Sequence, residues 1–505
     1  MQPEAYSVHR FRKAVLQFIG GRLAQAAARA VLVLVLVRIL PIRDYGAYML
    51  IVGTSELLLQ VGSFGILPLM QRYLPQMLTT LPLRRLYRFV GFLISAQTVA
   101  LSLIAFVLWK YWDMLGPTFG MDAAQTEATR FAAWLFVIIP MFRFSTELLE
   151  AMLAQGQTAR ALMVFARAAA IVVLVLVKDE VVLTDVLLVD VISTAFCIVV
   201  GWFSVQRMLA TLHQPDASGT LPVREMVRFA WHMALVGPMS ATASPGAVRL
   251  VLANSLGLAE TGLFSFLQSI ERLVKRYLPA TLLRNLIRPM LISRYLGPGK
   301  GELLKASTGL LLKSNMLTVV GGVVVIAVCG DQIVSVMSGH KFQGAGLTLL
   351  LIYLNMVATS QRGVQEMVMQ ITGHTKQLWI TSAVYPLALL LIWLLAGHGL
   401  NVAVLIVTAG SLLANSLTAG VLQHKTDWFR VDWRSIVVTS VAGLAASLLG
   451  ILLTEVIHPF VAGGIAFVLF IVFLRLGRPF NSPEIHAIER VMGARAVRLL
   501  KGFAA

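Results

Sequence analysis

Charge is scarce in this sequence, and acidic charge is scarcer still. Only 13% of the 505 residues are Asp, Glu, Lys or Arg, against 58% hydrophobic. A water-soluble domain carries about twice that charged share, so an ordinary soluble protein is excluded. Cysteine is nearly absent: Cys197 and Cys329 both sit in apolar context, which excludes a disulfide framework and any thiolate metal centre. Acidic residues number 24 against 42 basic ones, a net charge of +18. Such a surplus would suit nucleic acid, but the basic residues lie mostly in short loops between apolar runs. That placement is the mark of membrane orientation, and no nucleic-acid partner is expected.

What is present is hydrophobic length. The mean hydropathy is +0.80, and apolar stretches of about 20 residues, enough to cross a hydrocarbon core, recur along the chain. They read as about 14 helices near 14–40, 45–70, 85–109, 130–154, 158–177, 184–208, 225–253, 261–290, 303–329, 344–370, 375–396, 401–422, 436–456 and 460–476. Arg10, Arg12 and Lys13 precede the first run much as in a secretory signal, but Gly20, Gly21, Arg22 and Arg29 interrupt it, and a retained first span is expected. Loops alternate in charge. Arg84, Arg85 and Arg88, then Arg160, then Arg207, Arg224 and Arg228, then Arg284 to Lys305, then Lys376, then Lys425 to Arg434 mark one side. Asp113, Asp122 and Glu127, then Asp179 to Asp185, then Glu260, Asp331 and Glu455 mark the other. The alternation predicts an even number of spans with both termini cytoplasmic.

The chain also repeats itself. RILPIRDYGAYMLI at 38–51 matches NSLGLAETGLFSFL at 254–267, aligning Gly46 with Gly262, Tyr48 with Phe264 and Asp44 with Glu260 at an offset of 216. The same offset carries Arg72 onto Arg288, and EAMLAQGQT at 150–158 resembles EMVMQITGHT at 366–375 with one insertion. The expected fold class is therefore an all-α polytopic membrane protein with two parallel-repeat six-helix lobes and two peripheral C-terminal helices. The N-lobe is read at 1–210, a cytoplasmic linker at 211–223, the C-lobe at 224–423, spans 13 and 14 at 424–477, and a basic amphipathic tail at 478–505 that lies on anionic membrane lipids.

Several spans carry charge, at about 2.5–3.5 kcal/mol per mid-bilayer ionisable group on insertion scales. Span 1 places Arg22, Gln25 and Arg29 on one helical stripe, and span 2 does the same with Glu56, Gln60 and Ser63. At the offset of 216, Arg272 and Arg276 of span 8 answer Glu56 and Gln60, with Lys275 beside them, and span 7 adds Arg249. Any single one of these could snorkel or pair structurally. As a set, Arg22, Arg29, Arg249, Arg272, Lys275 and Arg276 form a candidate site for an anionic head group, with Glu56 the nearest compensation for Arg22 and Arg29. Arg143, Glu147 and Glu150 in span 4, and Arg362 and Glu366 in span 10, repeat an Arg–Glu pairing. Glu56, Gln60, Glu147, Glu150 and Glu366 are thus candidates for a cavity lining or for proton or sodium coupling, the alternative being polar locks between helices. Pro238, Pro245 and Gly246 should bend or break span 7 as a hinge. No cofactor or metal is expected.

At LVRILPIRDYGAYMLI and GSFGILPLMQRYLP the chain resembles the polysaccharide-transporter, or Wzx-like flippase, branch of the multidrug/oligosaccharidyl-lipid/polysaccharide exporter superfamily. That resemblance implies two lobes around a central cavity lined by spans 1, 2, 7 and 8, in the bacterial inner membrane. It implies a transporter, not an enzyme, acting as a monomer on an undecaprenyl-pyrophosphate-linked oligosaccharide, with polysaccharide polymerases or assembly proteins as further partners. Export of cationic drugs would call for an acidic cavity, and this one is net basic; lipid II flipping lies between the two. A membrane polymerase or ligase typically carries a long catalytic external loop, whereas the longest here is roughly 20 residues, near 110–129, with no acid–base cluster.

Overall fold

The computed structural model describes residues 27–151, 156–211, 223–279, 281, 300–372, 374, 376–426 and 428–480. They fold into helices joined by short turns, as α1 (27–39), α2 (Ile42–Gly62), α3 (Ile66–Thr80), α4 (Leu83–Lys110), α5 (Trp112–Thr118), α6 (Ala123–Arg130), α7 (Leu135–Ala151), α8 (Gly156–Val177), α9 (Leu183–Thr211), α10 (Val223–Ala241), α11 (Pro245–Leu256) and α12 (Leu258–Lys275). After these come α13 (Lys300–Ser338), α14 (Gly346–Ile371), α15 (Gln377–Ser382), α16 (Val384–Leu395), α17 (Leu400–Lys425), α18 (Trp433–Leu453) and α19 (Pro459–Gly477). Among the described residues, eight helical segments are long and apolar enough to cross a membrane, nine if the bent pair α2–α3 is taken as one span. Large apolar side chains such as Phe92, Leu103 and Phe106 on α4, and Phe196, Val199 and Phe203 on α9, stand exposed along these segments. In water that surface would aggregate; in lipid it is solvated. The chain is a multi-pass membrane protein.

Three expected spans are broken. The span near 45–70 ends α2 at Gly62 and resumes as α3 at Ile66 with a 63° bend. Phe64 and Gly65 turn the corner with φ of 43° and 76°, the left-handed region open to glycine. The turn leaves the Gly62 carbonyl without a helical donor, and Gln97 Nε2 of α4, fully buried, supplies one at 3.1 Å. The span near 261–290 leaves helical form after Lys275, close to the position matching the α2–α3 break. The span near 225–253 divides at 242–244. Pro238 lies within α10, while the break is set by Ser244, whose Oγ accepts from the Ala247 amide as N-cap with Pro245 at the first helical position. Apolarity scores the length of a run, and a turn stabilised by side chains from neighbouring helices leaves no mark on that score.

The stretch near 110–129, expected from the charge alternation to be external, is likewise not a plain loop. Asp122 and Gln125 form a capping box at the start of α6, Trp112 Nε1 donates to Thr129 Oγ1 at 3.0 Å, and Thr126 packs on Gly116. The segment is a compact helical strap.

The chain divides into two compact units, Met1–Ser265 and Phe266–Ala505; of the linker read at 211–223, residues 212–222 lie outside the described set, as does the tail beyond Phe480. In the first unit, Leu69, Met70 and Leu74 of α3, Leu86 and Leu101 of α4, Phe144 and Leu148 of α7, Val205 and Leu209 of α9 and Met226 of α10 share one core. In the second, α18 and α19 pack against α13 through small residues. A methyl on Gly443 would meet Val320 at 2.6 Å, and one on Gly450 would meet Val328 and Ala466 at 2.6 Å, the close approach that membrane helices use in place of a hydrophobic driving force. Lys313 of α13, buried, fixes the ends of that pair, donating to Asp432 Oδ2 at 2.6 Å and to the Pro479 carbonyl at 3.1 Å.

Candidate functional site

Helix α2 is the polar spine of the first unit, engaged at nearly every turn. Asp44, in the first turn where a carboxylate complements the helix dipole, accepts from Gln125 Nε2 at 2.7 Å. One turn on, Tyr48 donates its hydroxyl to Asp190 Oδ2 of α9 at 2.8 Å. Arg167 of α8 binds the same carboxylate with both prongs, Nε to Oδ1 at 2.6 Å and Nη2 to Oδ2 at 2.5 Å, and its Nη2 also donates to Tyr48 Oη at 3.1 Å. The Asp190 side chain is 0% exposed. Such a fork-to-fork geometry satisfies a buried carboxylate, and its two charges cancel.

Arg249 of α11, fully buried, lies across Gly53 and donates Nη1 to the Met49 carbonyl at 3.4 Å. A side chain at position 53 would collide with it, since a Cβ there would lie 2.8 Å from Arg249 Nη1. Further along, Glu56 pairs with Arg143 of α7.

The two repeat motifs meet at their glycines. A Cβ on Gly46 would lie 1.9 Å from the Leu258 carbonyl oxygen, and one on Gly262 would lie 3.1 Å from the Ile42 carbonyl and 3.3 Å from Gly46 Cα. Ile42 and Leu258 are themselves related by the offset of 216, as are Gly46 and Gly262. The contact is therefore reciprocal, each helix start resting its glycine on the matching carbonyl of the other.

The candidate residues are placed as follows. Arg22 lies outside the described residues, and so does the side chain of Glu150. Arg29 is half-buried on α1, and Gln60 is exposed near the end of α2. Glu56, the expected compensation of Arg22 and Arg29, pairs with Arg143, a residue read from sequence as the partner of acids on its own helix; the expected pairing with Arg22 falls on a residue outside the described set. Glu147 stays half-buried on α7. In the second unit, Arg272 and Lys275 sit in the last turn of α12 and Arg276 in the turn after it, all half-buried. Basic groups are favoured there by the helix dipole. Lys275 pairs with the buried Glu271 at 3.2 Å and donates to Thr359 Oγ1 of α14 at 3.0 Å. Arg362 is consumed by structure. It bonds Glu366 at 2.7 Å, the Thr381 carbonyl at 3.2 Å and Ser382 Oγ at 2.9 Å, and it lies 4.7 Å over the Tyr385 ring. Pro245 and Gly246 stand at the start of α11, where Gly246 meets Gly53 of α2. Among the described residues no cluster of His, Cys, Asp or Glu could hold a metal ion.

Arg167 and Asp190 were not singled out from sequence. Each is the one charged residue deep in its own apolar run, 23 positions apart on successive spans, a complementary pairing that could have been sought directly.

No protein-family model and no curated protein matches this chain. A solved structure does. The fold is similar to that of a lipid II flippase. Lipid II flippase MurJ in an inward closed conformation aligns with a TM-score of 0.67 over 91% of this chain and 97% of that one, at 9% sequence identity. At that identity the likeness is one of fold, and it covers both units. The all-helical, multi-pass fold expected from the sequence is present, and that flippase shares it.

Proposed function

We propose that this protein turns a polyprenyl-diphosphate-linked glycan precursor from the cytoplasmic to the periplasmic leaflet of a bacterial inner membrane. The observation that carries the reading is the likeness to MurJ along nearly the whole of both chains. The chemistry agrees with it. A diphosphate cannot enter hydrocarbon uncompensated, and a carrier for it needs basic groups along its path and a lipid-facing opening for the tail. Arg29, Arg249, Arg272, Lys275 and Arg276, with Arg22, supply the basic groups. Arg249 is buried beneath α2 in this state, so it meets a head group only after α2 and α11 part. Glu56, Glu147, Glu150 and Glu366 are the carboxylates available for proton or sodium coupling. The cargo follows the sequence resemblance: an oligosaccharide unit for surface polysaccharide, carried on undecaprenyl pyrophosphate. The MurJ likeness favours a second reading, lipid II itself.

The test is flipping of fluorescent lipid-linked glycans by the purified protein in proteoliposomes, comparing a polysaccharide unit with lipid II. Arg272→Ala with Arg276→Ala should slow the preferred cargo by roughly 10- to 100-fold, the value of one or two hydrogen bonds to a charged group. Unchanged flipping in that variant refutes the head-group assignment. Flipping of lipid II alone replaces the first cargo with the second, and flipping of neither removes the proposal. Loss of flipping on collapse of a proton or sodium gradient identifies the coupling ion; indifference to both removes the coupling role of the carboxylates.

A further inference from the structure

The strap α5–α6 touches both repeat motifs. On one side it is tied to the start of α2, where Gln125 holds Asp44 at 2.7 Å and Arg43 donates to the Gly120 carbonyl at 3.3 Å. On the other side Asn254, at the end of α11, donates Nδ2 to the Thr118 carbonyl at 3.0 Å. Gly120 and Gly257, both with positive φ, lie side by side, and a Cβ on Gly120 would be in van der Waals contact with Gly257 Cα at 3.7 Å. Directly beneath, Gly46 and Gly262 make their reciprocal crossing.

The two sides of this arrangement are unequal. Helix α2 is clamped to α8 and α9 by the Tyr48–Asp190–Arg167 network, and the strap is folded on itself and packed beside α9. Against α11 and α12, α2 presents Gly46 and Gly53, one face of the helix at seven-residue spacing, and meets the Leu258 carbonyl, Gly246 and the side chain of Arg249 there. A face of glycines packs closely yet carries few bonds that must break on separation. Arg249 reaches across it to Met49 O with a long hydrogen bond, and Asn254 joins α11 to the strap at Thr118 O.

We propose that the α5–α6 strap is a latch: through Asn254 and the Gly120–Gly257 contact it holds α11–α12 against α2 and keeps the external end shut, and transport requires that contact to release. The proposal rests on the transport reading above and on the orientation set by the basic loops.

The test uses the full-length protein with its two buried cysteines replaced, Cys197→Ala and Cys329→Ala. Thr261→Cys, at a position 0% exposed beside the crossing, is then challenged in whole cells with a membrane-impermeant maleimide. Asn254→Asp, isosteric but without the donor, and Asn254→Ala should each raise the labelling rate roughly two- to tenfold, the factor of one hydrogen bond. Asp44→Ala, which removes the strap's bond to α2 and leaves its own capping box intact, should change it less than twofold. In a second set, Thr118→Cys with Asn254→Cys, bridged by a short bifunctional methanethiosulfonate, should lose glycan flipping and regain it on reduction. Asp44→Cys with Gln125→Cys, bridged in the same way, should keep it. Unaltered labelling in both Asn254 variants, or flipping that survives the 118–254 bridge, overturns the latch. If labelling responds as expected while no variant, nor the parent, flips any glycan, the latch stands and the transport reading falls.

Discussion

Replacing Asp190 by alanine should destabilise the first unit by about 3–5 kcal/mol, the cost of leaving a buried charge without its partner. The size follows from the geometry. Asp190 receives three hydrogen bonds, two from Arg167 and one from Tyr48, and its side chain is 0% exposed. Its removal strands a guanidinium of which only 20% is exposed, in a segment whose insertion already disfavours a charge by about 2.5–3.5 kcal/mol. The same physics makes the double replacement informative. Arg167→Met with Asp190→Leu removes both charges and keeps volume, so it should recover most of the loss, leaving Tyr48 Oη as the unsatisfied group at about 1–3 kcal/mol; Tyr48→Phe added to the pair should recover that too. The assay is the midpoint of heat- or SDS-induced unfolding in mixed micelles, for the parent, the two single variants, the double and the triple. A double variant no more stable than Asp190→Ala would refute the argument, because the loss could then not be attributed to an uncompensated charge.

Four further outcomes are expected. Gly46→Val, forced against the Leu258 carbonyl, should cost at least about 1–3 kcal/mol by overpacking, whereas Gly91→Ala, mid-helix in α4 with nothing within 4 Å, should stabilise by about 0.5–1 kcal/mol; the same unfolding assay reads both. Arg362→Lys should behave as a loss, not a conservative change, costing about 2–3 kcal/mol, because an ammonium cannot serve Glu366, Thr381 and Ser382 while lying over Tyr385. Burial alone would raise the Asp432 carboxyl, but its bonds to Lys313 and the Ser435 amide hold it below the usual range. Its contribution should therefore be whole above about pH 4 and fade as pH falls through the lowered value; Asp432→Asn should flatten that acid limb of the unfolding midpoint. Arg143→Ala should raise the stability cost of keeping Glu56 ionised, and Arg143→Ala with Glu56→Gln should unfold closer to the parent than Arg143→Ala does.

Much of the frame was legible because hydropathy and repeat spacing are properties of long runs. The helices at 83–110, 156–177, 183–211, 346–371, 400–425, 433–453 and 459–477 stand within a few residues of their expected places. The breaks were not legible, because each depends on a residue elsewhere in the chain: Gln97 at the Gly62 carbonyl, Ala230 beside Gly65, Gly53 beneath Gly246. Charge partners divide in the same way. Spacing along one helix finds Arg362–Glu366 and Glu271–Lys275, which are indeed formed at i,i+4, but Arg143 reaches 87 residues away to Glu56, and Tyr48 reaches 142 residues away to Asp190.

The repeat makes the sharper point about what duplication preserves. Gly46 and Gly262 stand where the two copies meet: a side chain on Gly46 would strike the Leu258 carbonyl, and one on Gly262 would press on Ile42 and Gly46. Around them the copies have drifted. Tyr48 anchors α2 to a buried ion pair while its match, Phe264, is fully buried with no polar handle. Glu56 is balanced by Arg143, while its match, Arg272, is of opposite charge and lies in the last turn of α12. A contact made between the copies constrains both at once, whereas a contact made within one copy constrains only that copy. The glycine crossing therefore constrains both copies at once, while the residues around it have been free to diverge in charge.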